Sequence, residues 1–149
     1  MTRTRILGPA LIGAAVLISS CRQDLVAHSH NPVQIDSTAV KGIMKLTLED
    51  RAVTRLGLAT RPVTEQVVTL HGRTASRKVV PYGAIMYDTK GETWTYTNPE
   101  PRVYVRERVV VEDIQGDQVF LAEGPETGTT IVHVGAPELM GAEHKYGGH

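Results

Sequence analysis

The chain has 149 residues, with 16 lysines and arginines balanced by 16 aspartates and glutamates, so it carries no net formal charge at pH 7. That balance excludes binding of nucleic acid or of an anionic surface by bulk electrostatics. A single cysteine excludes a disulfide framework and a cysteine-based zinc site, while one tryptophan and one phenylalanine beside plentiful valine and threonine favour strands over helices.

Thr2-Arg3-Thr4-Arg5 gives a short basic start, Ile6 to Ile18 runs without a charge, and the small residues Ser19 and Ser20 follow. This is the order of basic region, apolar region and cleavage site in a secretory signal peptide. The apolar run is shorter than the roughly 20 residues a membrane-spanning helix needs. Cys21 sits where the cut would fall, and Ile18-Ser19-Ser20-Cys21 resembles the lipobox of bacterial lipoproteins. The resemblance implies removal of residues 1–20 and a lipid on Cys21, holding the mature protein to the outer face of a membrane in the cell envelope. Two acyl chains anchor stably where one binds only marginally. An ordinary signal peptide with a stray cysteine, or an uncleaved N-terminal anchor, are the alternatives. Residue 22 is arginine, not the aspartate that tends to retain Gram-negative lipoproteins at the inner membrane.

Residues 21–39 are polar, show no period and contain Pro32, which predicts a flexible tether. Thr47 stands three residues before Asp50 like a capping box. Ala52, Val53 and Leu56 share one helical face and Gly57 supplies a stop, so a short helix is expected over 48–56, between two strands. It is the one helix the pattern predicts. Beyond it the period becomes two. Residues 65–80 read as strand with a bulge or bend at Gly72, and 79–88 as a strand that Pro81 restricts to an edge or an entrance. A turn at Thr89-Lys90-Gly91 leads to a strand over 93–98, broken by Asn98-Pro99-Glu100-Pro101.

Residues 102–113 alternate best, with Val103, Val105, Val109 and Val111 on the core side. Arg102, Tyr104, Arg106, Arg108 and Glu112 then fall on the solvent side, as in a half-buried antiparallel strand. A turn at Gln115-Gly116, a strand over 117–123, a loop over 124–129, a last strand over 130–135 and one helical turn from Ala136 to Glu143 complete the pattern. Five or six strands at short spacing predict a mainly β fold, a small antiparallel β-barrel or sandwich with one short helix. The expected division is 40–78, 79–143 and a flexible tail over 144–149.

Motifs for enzyme chemistry are lacking. The Gly124–Gly128 stretch has no Walker lysine and opens no helix, and the carboxylate neighbours Glu49/Asp50 and Glu112/Asp113 point apart in any regular element. No catalytic residue and no cofactor is expected. Histidines are the remaining site material: His28 with His30, and His144 with His149, pair imidazoles in two polar segments that would take Zn²⁺, Cu²⁺ or Ag⁺. Ordering such segments costs about 1–2 kcal/mol per residue, so binding there is weak. His71 and His133 have no carboxylate partner at a motif spacing.

From Val79 onward the chain resembles the C-terminal, membrane-proximal part of the periplasmic adaptor subunits, or membrane fusion proteins, of RND-type efflux pumps. The resemblance rests on an ordered series: Val80-Pro81 with Ala84; Gly91 with Trp94 and Tyr96; Pro101 with Tyr104 and Arg106; Gly116-Asp117, Val119, Leu121, Gly124 and Gly128; then Gly135-Ala136 and Glu138-Leu139. Residues 48–63 also resemble the helix and strand that lead into the preceding barrel domain of such adaptors. Full adaptors carry lipoyl-like half-motifs and a long helical hairpin, which do not fit between Cys21 and Val40, and no heptad run occurs. Thr95 stands where the family's usual residue is valine.

What the resemblance implies is a lipid-anchored, non-enzymatic accessory domain that docks on the inner-membrane transporter or on a fuller adaptor. Arginine and aromatic residues concentrate interface energy, so Trp94, Tyr96, Arg102, Tyr104, Arg106 and Arg108 are the expected partner face; equally, Trp94 and Tyr96 would serve the core. The rival expectations are a metal- or solute-binding lipoprotein using the paired histidines, and a remnant of a longer adaptor.

Overall fold

The computed structural model describes residues 31–146. The predicted leader, Cys21, His28, His30 and His149 lie outside the described residues. Within them the fold is mainly β, with two antiparallel sheets packed as a sandwich-like body and two helices. It does not close into a barrel.

The first strands are β1 (Val33–Ser37) and β2 (Met44–Leu48), paired antiparallel with Val33 opposite Leu48. The tether expected over 21–39 is therefore partly strand: Val33 is buried and joins the main core. Helix α1 (Asp50–Leu56) follows, ending on Gly57 in the left-handed conformation, the stop that the sequence predicts. Its start differs from expectation. Thr47 and Leu48 belong to β2, and the N-cap is Glu49, without a side-chain cap bond. Strand pairing with Val103 and Val33 holds these two residues extended.

Strand β3 (Ala59–Pro62) leads through the buried Val63 into β4 (Thr64–Leu70), which forms a hairpin with β5 (Arg73–Pro81). Leu70 pairs with Arg73, leaving His71-Gly72 as a two-residue loop with φ of 50° and 78°. Two successive positive φ values match the turn that continues the strand twist, so at Gly72, where the sequence suggested a bulge or bend, the chain reverses between two strands. The hairpin is curled. A straight one would carry Leu70 about 20 Å from Val79, yet Leu70, Val79 and Phe120 form one buried cluster.

A 3-10 turn (Tyr82–Ala84) and the short β6 (Met86–Tyr87) connect to β7 (Thr93–Glu100) and β8 (Val103–Arg108). After one residue, Val109, the chain continues as β9 (Val110–Gln115), then β10 (Gln118–Glu123), β11 (Thr130–Val134) and helix α2 (Ala136–Tyr146). The larger sheet runs β1-β2-β8-β7-β11-β3, with β6 on β7; the smaller runs β4-β5-β10-β9. The chain changes sheet at Val63 and Val109, each 1% exposed and in the same cluster. Bends of this kind make the corners of stacked sheets.

Several expectations are corrected by this topology. The stretch 102–113 is two strands in different sheets, and eleven strands occur among the described residues instead of five or six. Residues 98–101 do not break β7, which runs on to Glu100 through a register shift after Thr97. The division at 78/79 falls inside β5, and strands from both sides of it share both sheets. The single helical turn after Ala136 is an eleven-residue helix, so residues 144–146 are helical, not tail. Ala136, Leu139, Met140 and Glu143 recur at the spacing of one helical face, and Ala136 and Leu139 are wholly buried.

The two helices cover one face of the larger sheet, and the smaller sheet contributes to a cluster on the other. In β11, Ile131 joins the sheet-to-sheet cluster and its neighbour Val132 the helix-side core. The middle of the larger sheet is thus buried on both faces.

Candidate functional site

The residues expected to form a partner face meet mostly inside the molecule. In β7 and β8, Tyr96 stands opposite Arg106, and Trp94 opposite Arg108. Tyr96 is wholly buried, Tyr104 is 3% exposed, and the Arg106 side chain is 12% exposed. They lie on the face of the sheet that α2 covers, whereas alternation alone assigned Tyr104 and Arg106 to solvent. Arg102, just before β8, and Arg108, its last residue, do remain exposed, the first 3.5 Å from Asp50 and the second 3.4 Å from Glu92. Arg102 turns the corner at φ 66°.

Around Tyr96 the polar groups form a connected set. The Tyr96 hydroxyl donates a hydrogen bond to Glu143 Oε2 of α2. Glu143 Oε1 lies 3.4 Å from Arg106 Nη2, which also donates to the Gly42 carbonyl at 2.9 Å. The guanidinium carbon sits 4.4 Å over the centre of the Trp94 ring, a cation–π stack, and the Trp94 indole N–H donates to Asp88 Oδ2 at 3.1 Å. Burial, reinforced by the hydrogen bond and charge of Glu143, raises the Tyr96 pKa far above the ordinary tyrosine value against the opposing pull of Arg106. At Asp88 partial desolvation pushes the carboxyl up. The backbone N–H groups of Glu92 and Lys90, the indole N–H and the Lys90 charge outweigh it and hold the pKa below the usual range. The arrangement fastens α2 and the 40s loop to the sheet, while Arg106 Nε is buried without a hydrogen-bond partner among the described residues.

On the smaller sheet Arg77 pairs with Glu112 through both carboxylate oxygens. That hydrogen-bonded pairing lowers the Glu112 pKa against desolvation, and the nearby His71 adds to it. His71 acts on Asp113 in the same direction, which places the hairpin tip close to β9. The adjacent carboxylates Glu112 and Asp113 are thus engaged by different partners, Asp113 chiefly by the Gln115 side chain. Among the described residues no three His, Cys, Asp or Glu side chains converge as a metal site. His144 lies on the exposed side of α2, with Nδ1 2.8 Å from the Met140 carbonyl oxygen.

Elsewhere a groove of about 680 Å³ lies between α1, α2 and the start of β1. Pro32, Ala52, Leu56 and Ala142 give it an apolar floor; Glu49, Arg51, Arg55 and Glu138 give it a charged rim. Sequence reasoning missed it because one wall is the helix it read as a single turn. The available signal was the spacing Ala136, Leu139, Met140, Glu143, obscured by Gly141. No described helix is long and apolar enough to cross a membrane.

No family model matches the chain, and no curated protein matches it in sequence.

Proposed function

We propose that the chain is a lipid-anchored accessory protein of the cell envelope, held through Cys21, that docks on an RND-type inner-membrane transporter or on a fuller adaptor of the same system. The reading rests on the ordered motif residues and on the positions they take in the fold. Ala84, Tyr96, Val119, Ala136 and Leu139 are wholly buried, and Tyr104 and Leu121 nearly so. Gly91, Gly116, Gly128 and Gly135 all sit at positive φ, where glycine is the residue without a steric penalty. The series that suggests the adaptor resemblance thus supplies the interior and the turns of one β body. This is the observation that carries the proposal.

The docking surface falls on what the fold leaves exposed, not on the Tyr96–Arg106 layer. Val67 on the edge strand β4 is 75% exposed, and β9, the other edge of that sheet, exposes Ile114. Open edges with apolar side chains are sites where another chain can add. Photo-crosslinking groups at Val67 and Ile114, in cells that express the native transport system, test the reading. Capture of the transporter or of a full adaptor is the expected result; membrane association that persists in Cys21→Ser, together with no such capture, would sink it.

A further inference from the structure

Among the described residues the two sheets end in β1 and β3 and in β4 and β9, and three of these outer strands carry features that hinder a further strand from adding. β1 starts directly after Pro32 and carries Asp36. β3 ends in Arg61-Pro62 and shifts register against β11. β9 shifts register twice against β10 and carries Glu112 and Asp113. Charge, proline and irregular register are the devices that blunt a native edge. β4 has neither proline nor bulge: it runs seven residues in unbroken register with β5, and its one charged side chain, Glu65, accepts a hydrogen bond from Ser76 Oγ at 2.7 Å within the same hairpin.

The hairpin fixes which backbone groups this edge presents. Leu70 and Arg73 close the two-residue loop, and the closing pair of such a hairpin exchanges both of its hydrogen bonds. Bonded and non-bonded pairs alternate from there, so Val68, Gln66 and Thr64 turn their N–H and C=O groups to β5, while Thr69, Val67 and Glu65 turn theirs outward. The 2.7 Å contact between the Thr69 and Thr74 hydroxyls agrees, because side chains approach closest at a non-hydrogen-bonded pair. Val67, at the centre of the outward set, is 75% exposed.

This outward set is complementary to itself. A two-fold axis at Val67 sets that residue opposite its own copy and Glu65 opposite Thr69 of the copy, and each of these pairs can exchange both N–H···O bonds. Aliphatic side chains then meet at the centre, the carboxylate faces a hydroxyl, and no like charges stand opposite. Other centres fit worse. An axis at Gln66 would bring Thr69 opposite Val63, whose N–H and C=O are already bonded to Thr129 and Gly128; one at Val68 would bring Glu65 opposite His71 in the turn.

We infer that β4 pairs antiparallel with β4 of a second copy of this chain, centred on Val67, joining the two smaller sheets into one. A two-fold contact of this kind closes after two subunits. It leaves β9 with Ile114 open to the transport-system partner proposed above, on which the pairing does not depend.

The test uses the full chain in detergent, carrying Cys21→Ser so that no lipid gathers the copies and introduced thiols are the only ones. Sedimentation should show a concentration-dependent dimer; a monomer throughout overturns the pairing and leaves capture at Ile114 untouched. Val67→Lys and Val67→Glu, at an exposed position that the fold does not need, should each weaken the dimer several-fold, and an equimolar mixture of the two should restore it, since opposite charges then face each other. A dimer unchanged in Val67→Lys, or a mixture no more dimeric than its components, overturns the register. Directly opposed Cα atoms lie within the roughly 7 Å that a disulfide allows, so Val67→Cys should oxidise to a linked dimer several-fold faster than Ile114→Cys. Equal rates overturn the proposal, and faster linkage in a mixture of Val67→Cys with Ile114→Cys than in Val67→Cys alone overturns it in favour of open head-to-tail chains.

Discussion

The Tyr96 hydroxyl donates to the Glu143 carboxylate across the layer between β7 and α2, joining residues 47 positions apart in a buried hydrogen bond. Because Glu143 is 6% exposed and also faces Arg106, removing either partner leaves a polar group in the core. Tyr96→Phe should lower stability by about 1–2 kcal/mol, since Glu143 keeps Arg106. Glu143→Ala strands both the phenol and the guanidinium and should cost more, about 3 kcal/mol. Urea denaturation of both variants and of the double variant checks this. A double variant that equals the sum of the singles would show that the two groups do not interact.

The same pair makes stability fall at high pH. The folded-state pKa of Tyr96 is raised, first by burial and then by Glu143. In the unfolded chain tyrosine ionises near about 10. The contribution is therefore fully present below that value and is lost as pH rises beyond it, because the unfolded state gives up its proton first. Tyr104, raised by burial, adds to the same limb. Unfolding midpoints from pH 8 upward should decline in the native chain and decline less steeply in Tyr96→Phe. Glu112 has the opposite sign: its pKa is lowered chiefly by the Arg77 hydrogen bond, so its contribution is present above the ordinary carboxylate range and is lost as pH falls.

How the layer escaped the sequence is itself physical. Alternation in 102–113 correctly separates a valine face from a tyrosine–arginine face, but the larger sheet is covered on both sides, so neither face goes wholly to water. Arg106 reaches this interior because Glu143, Gly42 and the Trp94 ring receive it, and Glu143 lies on a helix whose Gly141 hid its extent. Local signals with a direct steric cause read true, as with Gly57 closing α1 and Ala52 with Val53 and Leu56 facing the core. Pairings between distant segments, such as β2 with β8, leave no local mark, and neither does the change of sheet at Val109.

Glycine positions separate conformational strain from lack of space. At Gly135, φ is 81° and an added Cβ would lie 2.4 Å from Leu58 Cδ2 and 3.2 Å from the Leu56 carbonyl oxygen. At Gly91, φ is 78° with no atom within 4 Å. Gly91→Ala should cost about 1 kcal/mol, the left-handed penalty alone. Gly135→Ala carries that penalty plus a clash at the junction of β11 and α2, and should cost about 3 kcal/mol. Similar thermal midpoints for the two variants would refute the packing at that junction.

The hairpin tip offers a gain in place of a loss. His71 holds a φ of 50° at the first position of a turn whose second is Gly72. Asparagine tolerates this conformation better than histidine. His71→Asn should stabilise the protein by roughly 0.5 kcal/mol, unless the His71 interaction with Glu112 and Asp113 outweighs the backbone gain. Measuring the same substitution in a Glu112→Gln/Asp113→Asn background separates these contributions: a backbone gain persists there, whereas the interaction of His71 with the two carboxylates is absent.

At Thr95 the fold holds a hydroxyl with a measurable energetic consequence. The residue is wholly buried on the face of β7 opposite Tyr96, and among the described residues its Oγ1 has no hydrogen-bond partner. Its strand neighbour Thr97 differs in that its hydroxyl donates to the Val105 carbonyl at 3.0 Å. A buried hydroxyl without a partner costs about 1–3 kcal/mol, and a methyl of the same shape removes that cost. Thr95→Val should therefore stabilise the protein by about 1 kcal/mol, while Thr97→Val, which discards a made bond and strands a carbonyl, should destabilise it by a similar amount. Equal and negative effects from both substitutions in urea denaturation would mean that the Thr95 hydroxyl is satisfied after all.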